Sequence, residues 1–191
     1  MKVYTPLVLL CTILMLQGCL CAVIVGTAAI VTKTSTDPRT FGRQVDDSTL
    51  EIRITNALAN DQQLKKKTRI INTVYQSKVL LTGQVLTADL AKRANQIALD
   101  VDGVTQVYNE IRQGRPVLLK RICIDIWITT KIRSLFLTSN KVNFSNIKVT
   151  TENGEVFLLG ILTNAEGKAA GEIASRINGV KRVTIAFTYL Q

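Results

Sequence analysis

The sequence predicts an α+β protein made of two tandem units. Each unit runs helix, strand, strand, helix, strand, and places two helices on one face of a small mixed sheet. Three observations carry this. The segment VLLTGQVLTADLAKRANQIALDVDGVTQV (79–107) aligns across one gap with VFLLGILTNAEGKAAGEIASRINGVKRV (156–183), pairing Val79 with Val156, Gly83 with Gly160, Ile97 with Ile173, Gly103 with Gly179 and Val107 with Val183. Upstream, IRITNALANDQQL (52–64) matches KIRSLFLTSNKV (131–142), so Ile54 pairs with Ile132 and Leu58 with Phe136. The period of about 77 residues is too long for a solenoid unit and suits a small domain. The two domains are placed at 46–112 and 122–191.

Each element has its own signal. In the first helix of unit one, Leu50, Ile54, Ala57 and Leu58 form an apolar stripe, matched in unit two by Ile128, Ile132, Leu135 and Phe136. Asp46, Asp47 and Ser48 offer N-capping groups for the first of these helices, and Asp125 is expected to do the same for the second. Two strand-like runs follow, joined by Gln76-Ser77 in unit one and Asn153-Gly154 in unit two. Asn-Gly is a strong type I′ hairpin signal, because both central residues take positive φ. The second helix shows Leu90, Ala94, Ile97, Ala98 and Val101 on one face, mirrored by Ala169, Ile173, Ala174 and Ile177. Gly103 and Gly179 are expected to end those helices in left-handed C-cap positions. A last strand is predicted at Val104–Ile111 and at Val180–Tyr189.

Ahead of the units, residues 1–18 have the layout of a secretory signal peptide: Lys2 at the start, then an apolar run from Leu7 to Leu16. Leu16-Gln17-Gly18-Cys19 resembles the bacterial lipobox, from which it departs at Gln17. That resemblance implies a lipoprotein with an N-acyl chain and a diacylglycerol on Cys19. Leu20, where an aspartate would signal inner-membrane retention, implies the periplasmic face of the outer membrane. The alternative is an uncleaved transmembrane anchor, since apolar residues resume from Leu20 to Val31; Pro6, Gly18 and the placement of Cys19 favour the lipoprotein. Residues 19–45 are assigned to the lipidated N-terminus and a flexible tether, polar from residue 32 onward. Pairing between Cys21 and Cys123 is left open by the sequence.

The unit, with a glycine closing the second strand of its hairpin (Val79-Leu80-Leu81-Thr82-Gly83; Val156-Phe157-Leu158-Leu159-Gly160) and Gly-Val before a Val-rich last strand, resembles the BON domain. Two such domains behind a lipobox resemble the dual-BON outer-membrane lipoproteins. The likeness covers essentially the whole chain, including DPR, QVDD, VYNEIRQG, TENGEVFL and GVKRV. It implies a periplasmic, non-enzymatic protein that binds phospholipid and supports envelope integrity.

The residues themselves give little support to catalysis. Histidine is absent from the chain, and neither a Walker phosphate loop nor a dinucleotide-binding glycine motif occurs. The four cysteines have no zinc-ligand spacing, so neither a metal nor another cofactor is expected. The carboxylate pairs Asp46/Asp47, Asp100/Asp102 and Glu152/Glu155 read as caps or as solvated groups beside turns.

Charge is unevenly shared. Of a formal +10, residues 46–112 carry nine basic and eight acidic side chains, while residues 115–191 carry eleven and five, a net +6. In unit two the first helix also has a second face, with Trp127, Thr130, Ser134 and Leu137 at helical spacing. Aligned on Ile54 and Ile132, Trp127, Ser134 and Leu137 correspond to Thr49, Asn56 and Ala59, so the apolar bulk is specific to unit two. Lys131 and Arg133 lie nearby, and Lys120 and Arg121 just upstream. These eight residues are the candidate site for anionic phospholipid, phosphatidylglycerol or cardiolipin. Trp settles at the head-group boundary, Leu enters the acyl region, and each basic residue near an anionic surface contributes about 1 kcal/mol. The competing reading buries Trp127 and Leu137 against unit one. Lys65-Lys66-Lys67 is a weaker second candidate. A monomer is expected, with no nucleic-acid partner given the compartment. The alternative function is a lipid-anchored adaptor whose domains bind an outer-membrane protein complex.

Overall fold

The computed structural model describes residues 41–65 and 68–189. The signal peptide, Cys19, Cys21, most of the tether, Lys66 and Lys67 lie outside them. Residues 39–191 form one compact unit. Its elements are α1 (Phe41–Asn60), β1 (Arg69–Tyr75), β2 (Lys78–Val85), α2 (Ala88–Leu99), β3 (Gln106–Gln113), α3 (Leu119–Thr138), β4 (Ile147–Glu152), β5 (Glu155–Leu162), α4 (Asn164–Ser175) and β6 (Arg182–Tyr189). Each domain is a three-stranded mixed sheet with the second strand central: β1 pairs antiparallel and β3 parallel to β2, as β4 and β6 do to β5.

Both hairpins turn on two residues of positive φ, Gln76 (51°) and Ser77 (60°), then Asn153 (50°) and Gly154 (79°). This is the I′ geometry that matches the right-handed twist of paired strands. The expected caps prove to have another task. The first helix of each domain starts earlier than predicted, at Phe41, inside the stretch assigned to the tether, and at Leu119. Asp47 and Asp125 are therefore inside helices and buried. The carboxylate of Asp47 accepts from the amides of Gln76 (2.8 Å) and Ser77 (2.9 Å), and that of Asp125 from the amides of Asn153 (2.7 Å) and Gly154 (2.9 Å). A turn with two adjacent amides facing a helix needs an acceptor, and a carboxylate meets both.

The expected C-cap glycines are also placed differently. The caps are Asp100 and Arg176 in ordinary helical conformation, and Gly103 (φ 98°) and Gly179 (φ 89°) lie three residues further on. There they occupy tight turns closed by the amides of Val104 and Val180 on the carbonyls of Val101 and Ile177, each at 3.1 Å. Gly83 has a different reason to lack a side chain: a Cβ there would stand 1.9 Å from the carbonyl oxygen of Arg69 across the hairpin.

Inward-facing residues alternate along β2, so Val79, Leu81 and Val85 meet Leu50, Ile54, Leu58, Ala94 and Ala98 from the two helices. Val149, Val156, Leu158 and Leu162 meet Ile128, Ile132, Phe136, Ala170 and Ala174 in the same way. The opposite sheet faces meet each other. Tyr75, Leu80, Phe157 and Leu159 form a third buried cluster drawn from both domains. Along this seam Arg69 pairs with buried Glu152 at 3.2 Å, Gln84 donates to Glu152 at 2.8 Å, and Lys148 pairs with Glu51 at 2.8 Å. The unit is thus layered helices, sheet, sheet, helices.

Candidate functional site

Helix α3 packs on β4 and α4 of its own domain. At 100° per residue its core side carries Ile128, Ile132 and Phe136, all buried. The other side contains Trp127 and Leu137, exposed to 53% and 56%. Neither is buried against the first domain. Thr130 and Ser134 lie exposed between them, and Thr130 returns its hydroxyl to the carbonyl of Ile126 at 2.9 Å.

The structure brings seven of the eight candidate residues to this side or its edges. Lys120 and Lys131 are exposed and flank it on one edge, and among the described residues neither has an ion pair. Arg133 flanks the other edge, with one guanidinium nitrogen donating to the carbonyl of Val149 at 3.0 Å. Arg121 does not join the face. It pairs with Asp125 at 2.8 Å and reaches the carbonyl of Gly179, so its charge supports the buried hairpin clamp.

Two residues of this side were missed, Leu119 and Ile126, exposed to 74% and 60%, and the N-cap residue Leu118 just ahead of the helix is exposed to 80%. Leu119 and Ile126 are seven apart and continue the stripe three turns and one turn ahead of Thr130. Their signal is present in the sequence, but reading Asp125 as a cap began the helix too late. From Leu119 to Leu137 the face runs about 27 Å at 1.5 Å per residue. Near its start, Lys120, Cys123, Ile124 and Trp127 line a shallow, mostly apolar groove of about 400 Å³. The Cys123 thiol there is exposed and has no disulfide partner among the described residues.

The equivalent side of α1 shows Thr49, Asn56 and Ala59 exposed, with Val45 and Ile52 as separate aliphatic positions. Among the α1 side chains described, none is aromatic. Among the described residues, no group of three or more His, Cys, Asp and Glu side chains is placed to hold a metal ion. No helix there is long and apolar enough to cross a membrane.

Comparison with known proteins agrees with this architecture. The BON domain family matches residues 46–115 and 124–191. The chain is 43% identical over 183 residues to the outer membrane lipoprotein DolP of Haemophilus influenzae, covering 96% of this chain and 94% of that protein. It is 45% identical over 155 residues to a 21 kDa hemolysin of Actinobacillus pleuropneumoniae, covering 81% and 80%. The chain belongs to the BON-domain family, as a two-domain protein closely related to the outer membrane lipoprotein DolP.

Proposed function

We propose that the protein is a non-enzymatic outer-membrane lipoprotein, anchored at the periplasmic face through lipid on Cys19, whose second domain docks α3 onto anionic phospholipid in support of envelope integrity. One observation carries the docking surface. A helix already supplied with a core face holds a second one, where Leu119, Ile126, Trp127 and Leu137 stand in solvent with lysines at the margin. An amphipathic helix of this kind lies in the plane of the interface, its aromatic ring at the head groups and its aliphatic chains below. Lys120, Lys131 and the charge excess of the second domain give the preference for anionic head groups. Anchoring by acyl chains keeps the domain close to lipid, so a weak individual contact suffices.

The test uses residues 39–191, the compact unit without the anchor. Co-sedimentation with phosphatidylglycerol vesicles is expected, with little on phosphatidylcholine vesicles. The double variant Trp127→Glu/Leu137→Glu is expected to lose binding while its melting temperature stays within a degree or two, since exposed substitutions cost under about 0.5 kcal/mol. Equal binding to both vesicle types, or binding retained by the variant, removes the lipid reading. The adaptor reading, in which the domains bind an envelope protein complex and the anchor serves only for placement, would then stand.

A further inference from the structure

The two ends of the seam between the sheets are unequal. The internal repeat puts Lys78 and Glu155 at the same position, the first residue of β2 and of β5. Glu155 is held on both sides, by Arg112 across the seam at 2.8 Å and by Arg182 on the neighbouring strand at 2.7 Å. Lys78 stands beside Gln106 in the register, and the Gln106 side-chain oxygen accepts the hydroxyl of Tyr108 at 3.0 Å. Lys78 is half-buried as a residue, and among the described residues its ammonium has neither an ion pair nor a hydrogen bond. Glu110, four residues along the neighbouring strand, is already paired with Arg112 at 2.8 Å.

Next to Lys78 the sheets part into a cleft of about 410 Å³. Its walls are mainly apolar: Tyr75, Leu80 and Tyr108 from the first domain, Phe157, Leu159 and Ala186 from the second. Two charged residues also line it, Lys78 and the Arg112-paired Glu110, and its size and mainly apolar walls are those of a small-molecule site. A lysine at the mouth of an apolar cleft without a counter-ion is complementary to an anion whose apolar part enters the cleft. We infer that this cleft binds a free fatty acid, with the alkyl chain between the sheets and the carboxylate on Lys78. The volume lies near the lower end for ligand sites and suits one chain, whereas a two-chain phospholipid needs far more room. A neutral chain would leave the lysine unmatched. The site is separate from the α3 face and does not depend on its docking to membrane.

Laurate below its micellar concentration is the probe, titrated into residues 39–191 by calorimetry and amide chemical-shift mapping. Saturable one-site binding is expected, with shifts at Lys78, Leu80, Tyr108 and Ala186, and none with butyrate. Lys78→Glu is expected to weaken laurate at least tenfold and to gain affinity for dodecyltrimethylammonium, a reversal that a folding defect cannot produce. Lys78→Gln serves if the charge reversal fails to fold, with the same loss of laurate expected. Trp127→Glu/Leu137→Glu is expected to bind laurate as the unaltered protein does. Shifts confined to α3, laurate affinity unchanged in both Lys78 variants, or tighter binding of lauroyl-lysophosphatidylglycerol than of laurate would overturn the assignment.

Discussion

Asp125 and Asp47 occupy the same place in α3 and α1, six residues after each helix begins, and each holds the two amides of its own hairpin turn. A short polar side chain ahead of an apolar stripe looks like a helix cap when only the sequence is known. The distinction lies 28 residues away, in an Asn-Gly turn whose amides need an acceptor. In the second domain the clamp also carries a charge pair, because a guanidinium nitrogen of Arg121 lies 2.8 Å from the Asp125 carboxylate. Asp125→Ala would leave two turn amides and one arginine without their partner, in surroundings that admit little water. Removing one member of such a buried set costs about 3 kcal/mol. Urea denaturation is expected to show that loss, together with faster hydrogen exchange at Asn153 and Gly154. A change below about 1 kcal/mol would mean that water replaces the carboxylate.

At the scale of the element, α3 differs from α1 by what its outer side carries, and the variants sort accordingly. Leu119→Glu and Ile126→Glu are expected to weaken sedimentation with phosphatidylglycerol vesicles severalfold while leaving the melting temperature nearly unchanged, as both side chains are exposed. Arg121→Gln is expected to do the reverse, lowering stability through the Asp125 clamp with a small effect on binding. Binding lost in Arg121→Gln at unchanged stability would return that residue to the lipid face. The repeat, the turn residues and the two helix stripes made the elements legible in the sequence, because each depends on local periodicity or on backbone geometry at one dipeptide. The start of α3 was not legible, since it depends on Asp125 serving a distant turn. For the same reason the apolar side was read two turns short, without Leu119 and Ile126.

The contact between the domains belongs to the whole molecule, and only part of its signal is local. Val156-Phe157-Leu158-Leu159 is apolar without alternation, the pattern of a strand buried on both faces, whereas helices cover only one. The second cover is the other domain. Which polar side chains bridge the seam is not readable from either repeat alone, because Arg112 and Glu155 lie 43 residues apart and meet only when both domains are folded. Burial pushes the carboxyl of Glu155 upward, but its bonds to Arg112 and Arg182 outweigh this and hold it below its ordinary value of 4.5. A carboxylate held lower in the folded state than in the unfolded chain contributes stability that is fully present above 4.5. That contribution disappears as pH falls through the lower, folded value. With the partners part-exposed, solvent screening keeps it modest. The shared cluster of Tyr75, Leu80, Phe157 and Leu159 links the domains, so a single thermal transition is expected. Its midpoint should change little between about pH 7 and pH 5 on account of Glu155 and should fall below that. In Glu155→Gln the midpoint should be lower at neutral pH and the acid-side decline shallower, with the two curves converging under the most acidic conditions. Parallel curves would place the acid sensitivity elsewhere, and two separate transitions would show that the seam does not couple the domains.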